Sequence, residues 1–332
     1  MQALVTGASG YTGGQLVRTL LAGGWSVRAL VRDPRAAPPL RALGARVVIG
    51  DVTRPATLAG LAASCTTVYH LVGSLSGGTA AMERVLVEGT RNLIECCLAG
   101  RASGTLRSFV LASNAVVYGQ GGTAMLTEGS PCLPSFPLGR LGLRAEQLVS
   151  KAYDEYGLPA TILRLGAIYG PGRISSALLR TGRFRIVGSG ANHSSRIHID
   201  DLLAVLEALG REPRPGQLYC AADRVPSSLN EYYVLLTSLL GVAPPRHIAV
   251  AEARLHGGAG ATVARLRGRA PTLDANVLGL FTADLRLDST RLWAELGLAP
   301  RYPSYGEGLP ASVAAETAAT GSGAALTTQA TR

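Results

Sequence analysis

Three glycines, Gly7, Gly10 and Gly13, fall in the run QALVTGASGYTG, after a short apolar stretch and before a helical pattern. Strand, glycine turn and helix in that order give the spacing a chemical meaning. Gly7 permits the tight turn, Gly10 lets backbone approach a pyrophosphate, and Gly13 allows close contact between helix and strand. The free N–H groups that open the helix then face the phosphates. A dinucleotide is the ligand this arrangement selects. The second strand adds a preference, because it ends ALVRDP, with Arg32 at the tip and Arg35 close behind. A guanidinium pairs bidentately with phosphate and stacks on adenine, whereas an acid there would accept from the ribose hydroxyls and repel a 2′-phosphate. NADP(H) is favoured over NAD(H), and Asp33 keeps NAD(H) open.

The elements that must position these residues follow from strand–helix alternation, which implies a parallel sheet covered on both faces. Strands are predicted at Gln2–Thr6, Ser26–Val31, Arg46–Ile49, Thr67–Leu71, Ser108–Ala112 and Ala160–Leu165. Helices are predicted at Gly13–Ala22, Ala56–Ala63, Thr79–Leu98 and Leu138–Tyr156. A break follows at Gly170-Pro171-Gly172, and Ser227–Leu240 reads as a further helix with Ser and Asn near its start. Residues 315–332 are rich in Ala, Thr and Gly without periodicity and read as a flexible tail. No internal repeat is visible.

The chain has 332 residues, enough for one large or two modest domains, and its mean hydropathy is +0.22. No apolar run approaches the ~18 residues of a membrane span. The start reads as a strand rather than a cleavable leader, so a cytoplasmic protein is expected. Cys65, Cys96, Cys97, Cys132 and Cys220 are odd in number and lack CxxC spacing, which fits reduced thiols. The net charge of +10 is spread along the chain with few aromatics for base stacking, so nucleic acid is not an expected partner. No His, Cys or carboxylate cluster has metal-ligand spacing.

Further motifs resemble the extended short-chain dehydrogenase/reductases. They are VTGASGYTGGQL, Asp51-Val52 after the third strand, VYHLVG at the fourth, VEGTRNLIE (Val87–Glu95), ASNAVVYG (Ala112–Gly119), LRLGAIYGPG (Leu163–Gly172) and IHIDDL (Ile197–Leu202). DSTRLWAELGLAP (Asp288–Pro300) and SYGEGL (Ser304–Leu309) extend the likeness to about residue 315. It is nearest to the NAD-dependent epimerase/dehydratase and dihydroflavonol-reductase-like branch. The resemblance implies an α/β, doubly wound parallel-sheet Rossmann fold with a smaller C-terminal substrate lobe. Residues 1–170, with 197–222 returning to them, would form the nucleotide domain. Residues 171–196 and 223–314 would form the lobe. The cofactor would lie along Gly7, Ser9, Gly10, Tyr11, Gly13, Arg32, Asp51, Val52, Leu71 and Gly73, with Asp51 at the adenine amino group. Such proteins commonly pair through the two long helices near Thr79–Leu98 and Leu138–Tyr156, so a homodimer is a possible assembly.

The catalytic positions depart from the family. Its usual machinery is a Tyr-x-x-x-Lys pair on one helix and a Ser or Thr near the fifth strand. Tyrosine exchanges the proton, lysine lowers its pKa, and the hydroxyl polarises the substrate oxygen. Aligning on Pro134 and Glu146 puts Leu138 at the tyrosine position and Gly142 at the lysine position. Aligning on Val-Tyr-Gly puts Asn114 at the serine position, with Ser113 one residue before it, and Leu86 replaces the helix asparagine. The only lysine, Lys151, has Gln147 four residues earlier, so no shifted pair exists. It lies nine residues beyond Gly142, about 13.5 Å along the helix and half a turn around, which points it away as a solvated charge.

Asn114 can donate to a developing oxyanion but cannot shuttle a proton near neutral pH. Tyr118, Tyr169 and His193 are candidate replacement acids, although both tyrosines also suit packing within fold motifs and His193 sits in a polar loop. His198 and Asp200 read as helix-start and inter-lobe hydrogen bonding. Losing a positioned acid–base forfeits about 10²–10⁴ in rate and harms alcohol oxidation more than conjugate reduction of an enone. Three classes stay open for a small-molecule substrate. They are an NADP(H)-dependent oxidoreductase with an unusual proton source, a redox-neutral cyclase, isomerase or lyase, and a non-catalytic nucleotide-binding sensor.

Overall fold

The computed structural model describes residues 1–73, 78–99, 104–255 and 275–321. Strands β1 (Gln2–Thr6), β2 (Ser26–Val31), β3 (Arg46–Ile49), β4 (Thr67–His70), β5 (Ser108–Asn114) and β6 (Ala160–Leu165) join β11 (Leu218–Ala221) in one sheet. Its order is β3-β2-β1-β4-β5-β6-β11, and every pairing is parallel. Shorter pairs join β7 (Ala167–Tyr169) to β10 (Arg196–His198), β8 (Arg185–Val187) to β13 (Arg246–Ile248), and β9 (His193–Ser194) to β12 (Ser227–Ser228).

The helices are α1 (Tyr11–Ala22), α2 (Ala37–Ala42), α3 (Gly78–Glu83), α4 (Gly89–Ala99), α5 (Pro137–Tyr156), α6 (Ser176–Arg180), α7 (Ile199–Arg211) and α8 (Leu229–Leu240). After these come α9 (Ala275–Thr282), α10 (Thr290–Glu295) and α11 (Tyr305–Gly321). Alternation along β1 builds a core on each face of the sheet. Ala3 and Val5 meet Leu16, Val17 and Leu20 of α1 with Leu202 and Leu206 of α7. Leu4 faces the other way, toward Val68, Phe109 and Leu93. A smaller cluster joins Tyr169, Ile174 and Leu179 to Tyr232, Leu236 and Leu240 of α8 and Leu309 of α11.

Three predicted elements need correction. The helix over Ala56–Ala63 is only a 3-10 turn, Pro55–Leu58. Thr57 Oγ1 donates to the Arg54 and Asp51 carbonyls, and Gly60 turns left-handed at φ +67°, so no helix propagates. The helix over Thr79–Leu98 carries a π turn at Arg84–Glu88. The tail over 315–332 is helical as far as Gly321, because Glu316 is tied down: it accepts from Gly172 N at 2.6 Å and Ser176 Oγ at 2.5 Å. Residues 322–332 lie outside the described residues.

Candidate functional site

The strand order reverses between β4 and β1, and their carboxyl ends, Thr6 beside His70, open the crevice where such sheets bind ligands. Gly7 has φ +70°, and a Cβ there would lie 2.7 Å from Leu71 O. A Cβ on Gly13 would lie 2.2 Å from Gly7 O, so α1 can rest on the turn only as glycine. Gly10 precedes α1 with no side-chain cap and no acid in the first turn. The opening N–H groups of α1 and their positive dipole end are therefore left for an anion, and Ser9 and Gly10 are exposed beside them. A Cβ on Gly73 would meet nothing within 4 Å. The residues present fit a dinucleotide.

At the other end of this crevice Arg32 is exposed. Asp33 is occupied. Its Oδ1 accepts from Arg35 N at 2.9 Å and its Oδ2 from Arg35 Nη2 at 2.8 Å, contacts that hold the carboxylate below its ordinary range. Asp51 Oδ1 accepts from Thr53 N and Oγ1, both at 2.9 Å. Asn92 Nδ2 donates to Val52 O at 2.8 Å, pinning the third βα turn to α4. Tyr11 donates from its hydroxyl to Pro171 O at 3.0 Å, and Arg173 stacks over its ring at 5.2 Å. Beneath the turn, His70 bridges Thr6 Oγ1 (2.8 Å) and Thr90 Oγ1 (2.9 Å), and burial lowers its pKa to about 4. Thr90 Oγ1 also donates to Leu86 O, where the π turn falls.

Asn114, Leu138 and Gly142, the residues aligned with the triad positions, lie at the end of β5 and on the first turns of α5. A Cβ on Gly142 would lie 2.9 Å from Asn114 Nδ2 and 3.4 Å from Val117 Cγ1, so the amide covers the place where a lysine would leave the helix. Asn114 Oδ1 is buried with no partner among the described residues. Leu138 is buried in an apolar cluster with Val117, Phe136 and Leu141, and Leu86 packs against it. Ser113 meets the next turn of the same helix, where its hydroxyl donates to Glu146 Oε1. Lys151 is exposed and faces Glu155 at 3.7 Å, as its spacing predicts.

The proposed replacement acids are tied into structure instead. Tyr118 OH donates to Thr127 O at 2.8 Å and accepts from Arg164 Nη1 at 2.9 Å. Tyr169 OH donates to Ser304 O at 3.3 Å, and its ring abuts His198 and Tyr232. Burial raises both phenols well above their ordinary range, which keeps them protonated near neutrality. His193 lies 3.0 Å from Arg286 Nη2. His198 caps α7 by accepting from Asp200 N at 3.2 Å, and its Nε2 meets Ser312 Oγ of α11. Burial lowers its pKa to about 4, which suits a neutral cap.

Sequence reasoning missed a buried ion pair behind the site. Arg164 donates from Nε and Nη2 to Glu146, the latter at 2.7 Å, and both residues are at least 95% buried. Although burial opposes its charge, Glu146 holds the guanidinium above its ordinary range. An arginine inside the apolar run ILRL of β6 was the available signal. Asn276, also missed, caps α5 by accepting from Leu138 N at 2.9 Å. Cavities of about 390 Å³ beside Glu146, Lys151 and Arg164, and of about 490 Å³ beside Arg224 and Trp293, are lined by neither the glycine turn nor Asn114.

A doubly wound parallel sheet with a glycine turn at its switch point is the fold of the extended short-chain dehydrogenase/reductase class. The chain belongs to the NAD dependent epimerase/dehydratase family, whose model matches residues 3–220. It is 31% identical over 328 residues to a 4-hydroxy-2-methyl-3-oxo-4-farnesyl-3,4-dihydroquinoline-1-oxide ketoreductase of Stigmatella aurantiaca, covering 94% of this chain and 95% of that one. It is 32% identical over 274 residues to a 3-diazoavenalumate denitrifying reductase of a Streptomyces species, covering 76% and 86%. The fold matches a dTDP-glucose 4,6-dehydratase of Streptomyces venezuelae solved with NAD, at TM-score 0.78 and 23% identity over 97% and 98% of the two chains. All five cysteines are free, and no described helix is long and apolar enough to cross a membrane.

Proposed function

We propose that this protein binds NADP(H) and reduces a small carbonyl or enone substrate, with the Asn114 amide holding the developing oxyanion. The observation that carries this reading is the Asn114 side chain lying against Gly142, with its amide nitrogen where a family lysine would emerge. A fixed N–H donor stabilises negative charge on a substrate oxygen without supplying a proton. When bound, the nicotinamide supplies the hydride. The chain's part is then to hold the oxyanion at Asn114 and to exclude the family's tyrosine relay, which Leu138 does by filling that position. An enolate product suits such a site, because it needs stabilisation first and a proton later. The ketoreductase and reductase names of the two relatives support hydride transfer over the redox-neutral reading.

Nicotinamide absorbance with a panel of enones and ketones tests the proposal. Asn114→Ala is expected to lower kcat about tenfold or more while leaving cofactor affinity unchanged. An unaltered rate would show that Asn114 only fills the strand end. Retained NADP(H) binding with no oxidation across the panel would transfer the assignment to redox-neutral chemistry or nucleotide sensing.

The preference for NADP(H) is supported by Arg32, which is exposed at the strand tip while Arg35 occupies Asp33. Calorimetry should show NADPH binding about tenfold tighter than NADH, with Arg32→Asp reversing the order. Equal affinities before and after the change would remove Arg32 from the cofactor site.

A further inference from the structure

Among the described residues three arginines are buried on or beside the sheet, Arg28, Arg164 and Arg196, and only Arg164 pairs with a carboxylate, while Arg28 donates to the Leu61 and Ala63 carbonyls. Arg164 presents its Nε–Nη2 edge to the Glu146 carboxylate. Arg196, on β10, is only 7% exposed, and among the described residues no carboxylate lies within ion-pair distance of it. Its Nη1 donates to Ser194 O at 2.9 Å and Ser227 Oγ at 2.5 Å. Its Nε and Nη2 have no hydrogen-bond partner among the described residues. The same side-on edge that Glu146 fills on Arg164 is therefore left over on Arg196. A largely buried guanidinium with a side-on edge left over is suited to an anion.

The surroundings define that anion. The Arg196 guanidinium stacks over Tyr232 of α8 at 4.0 Å, and Tyr233 and Tyr169 continue the aromatic wall. Asp223 lies beside Arg196, since its N–H donates to Arg196 O, and the two side chains interact electrostatically without reaching ion-pair distance. Burial raises its pKa to about 8, and its Oδ2 is buried with no hydrogen-bond partner among the described residues, so it makes no bond to the Arg196 guanidinium. Glu231 is committed to the α8 cap, where it accepts from Ser228 N and Oγ at 2.8 Å. Arg196 also sits close to the proposed chemistry: it pairs with Ala167 of β7, two residues after Leu165, which pairs with Asn114.

We propose that Arg196 is a substrate-anchoring residue that takes the carboxylate of a planar aromatic acid, whose ring lies against the tyrosines between the sheet and α8. One side-on edge matches the two oxygens of a carboxylate. This inference rests on the reductase reading for its substrate, but the anion site can be measured without turnover.

The test is calorimetry on the full chain loaded with NADP⁺, using cinnamate, its neutral isostere cinnamamide, and UDP as probes. Cinnamate is expected to bind about tenfold or more tighter than cinnamamide. Arg196→Gln should erase that preference, and Arg196→Lys should keep only part of it, because a point charge lacks the fork. Unchanged NADP⁺ affinity certifies that each variant is folded, and the comparison of probes on the native chain stands even if a variant is not. Equal binding of the two isosteres, or a preference that survives Arg196→Gln, overturns the proposal. So does UDP displacing cinnamate with higher affinity, which would make this a diphosphate site. A carboxylate preference without any NADPH oxidation would leave the anchor standing and remove the reductase reading.

Discussion

Glu146→Ala is expected to destabilise the protein by about 3–5 kcal/mol, because it leaves the Arg164 guanidinium buried without its partner. Both side chains are at most 6% exposed, and their closest approach is 2.7 Å. Glu146 also accepts from Ser113, and Arg164 donates to Tyr118 and Glu128 O, so one carboxylate ties α5, β5, β6 and the turn after β5 together. The substitution thus exposes a charge to desolvation and removes an acceptor from Ser113. Replacing both members, as Glu146→Leu with Arg164→Met, should recover most of the loss, since an apolar pair has no charge to desolvate. Urea unfolding midpoints with an unchanged m-value would measure this. If the single and double variants fall equally, the pair itself is not what stabilises this corner. Asn114 ends β5, so its alignment, read through turnover of the native substrate, should worsen in the single variant.

The sheet was legible because its strands are short apolar runs separated by turn residues, and buried parallel strands need nothing more. The glycine turn was legible because its order, not its composition, carries the meaning. The tail was not. Helix α11 has no apolar stripe; it is held by Leu309, Ser312 and the Glu316 contacts, which depend on residues more than 100 positions away. The site divides in the same way. Asn114, Leu138 and Gly142 were proposed from their position relative to local motifs. That Asn114 and Gly142 are one steric unit needs the strand and helix in contact. Tyr118 and Tyr169 were offered as acids because a sequence does not show that their hydroxyls are already engaged. Arg196 passed unnoticed because its burial is a property of the fold alone.

Restoring Tyr at Leu138 and Lys at Gly142 is expected not to create an efficient alcohol dehydrogenase. The lysine Cβ would start 2.9 Å from Asn114 Nδ2, closer than side chains tolerate, so lysine and Asn114 cannot both keep their places. The tyrosine would enter a closed apolar cluster at Leu138, where overfilling costs about 1–3 kcal/mol. Its backbone N–H is also bound to Asn276, which limits how far the first turn of α5 can shift to make room. Adding Asn114→Ser removes the amide above residue 142 and returns the hydroxyl that polarises a substrate oxygen. The triple variant is therefore expected to exceed the double by about a hundredfold in NADP-linked turnover, the lower end of what a positioned acid–base contributes. The assay is a panel of secondary alcohols and ketones followed by nicotinamide absorbance, with melting curves to confirm that both variants fold. Robust turnover by the double variant alone would show that Asn114 yields easily and that only the proton relay had been lost. Activity confined to the triple variant would show that Asn114 and Gly142 changed as a pair, so that the asparagine excludes the relay as well as standing in for the serine.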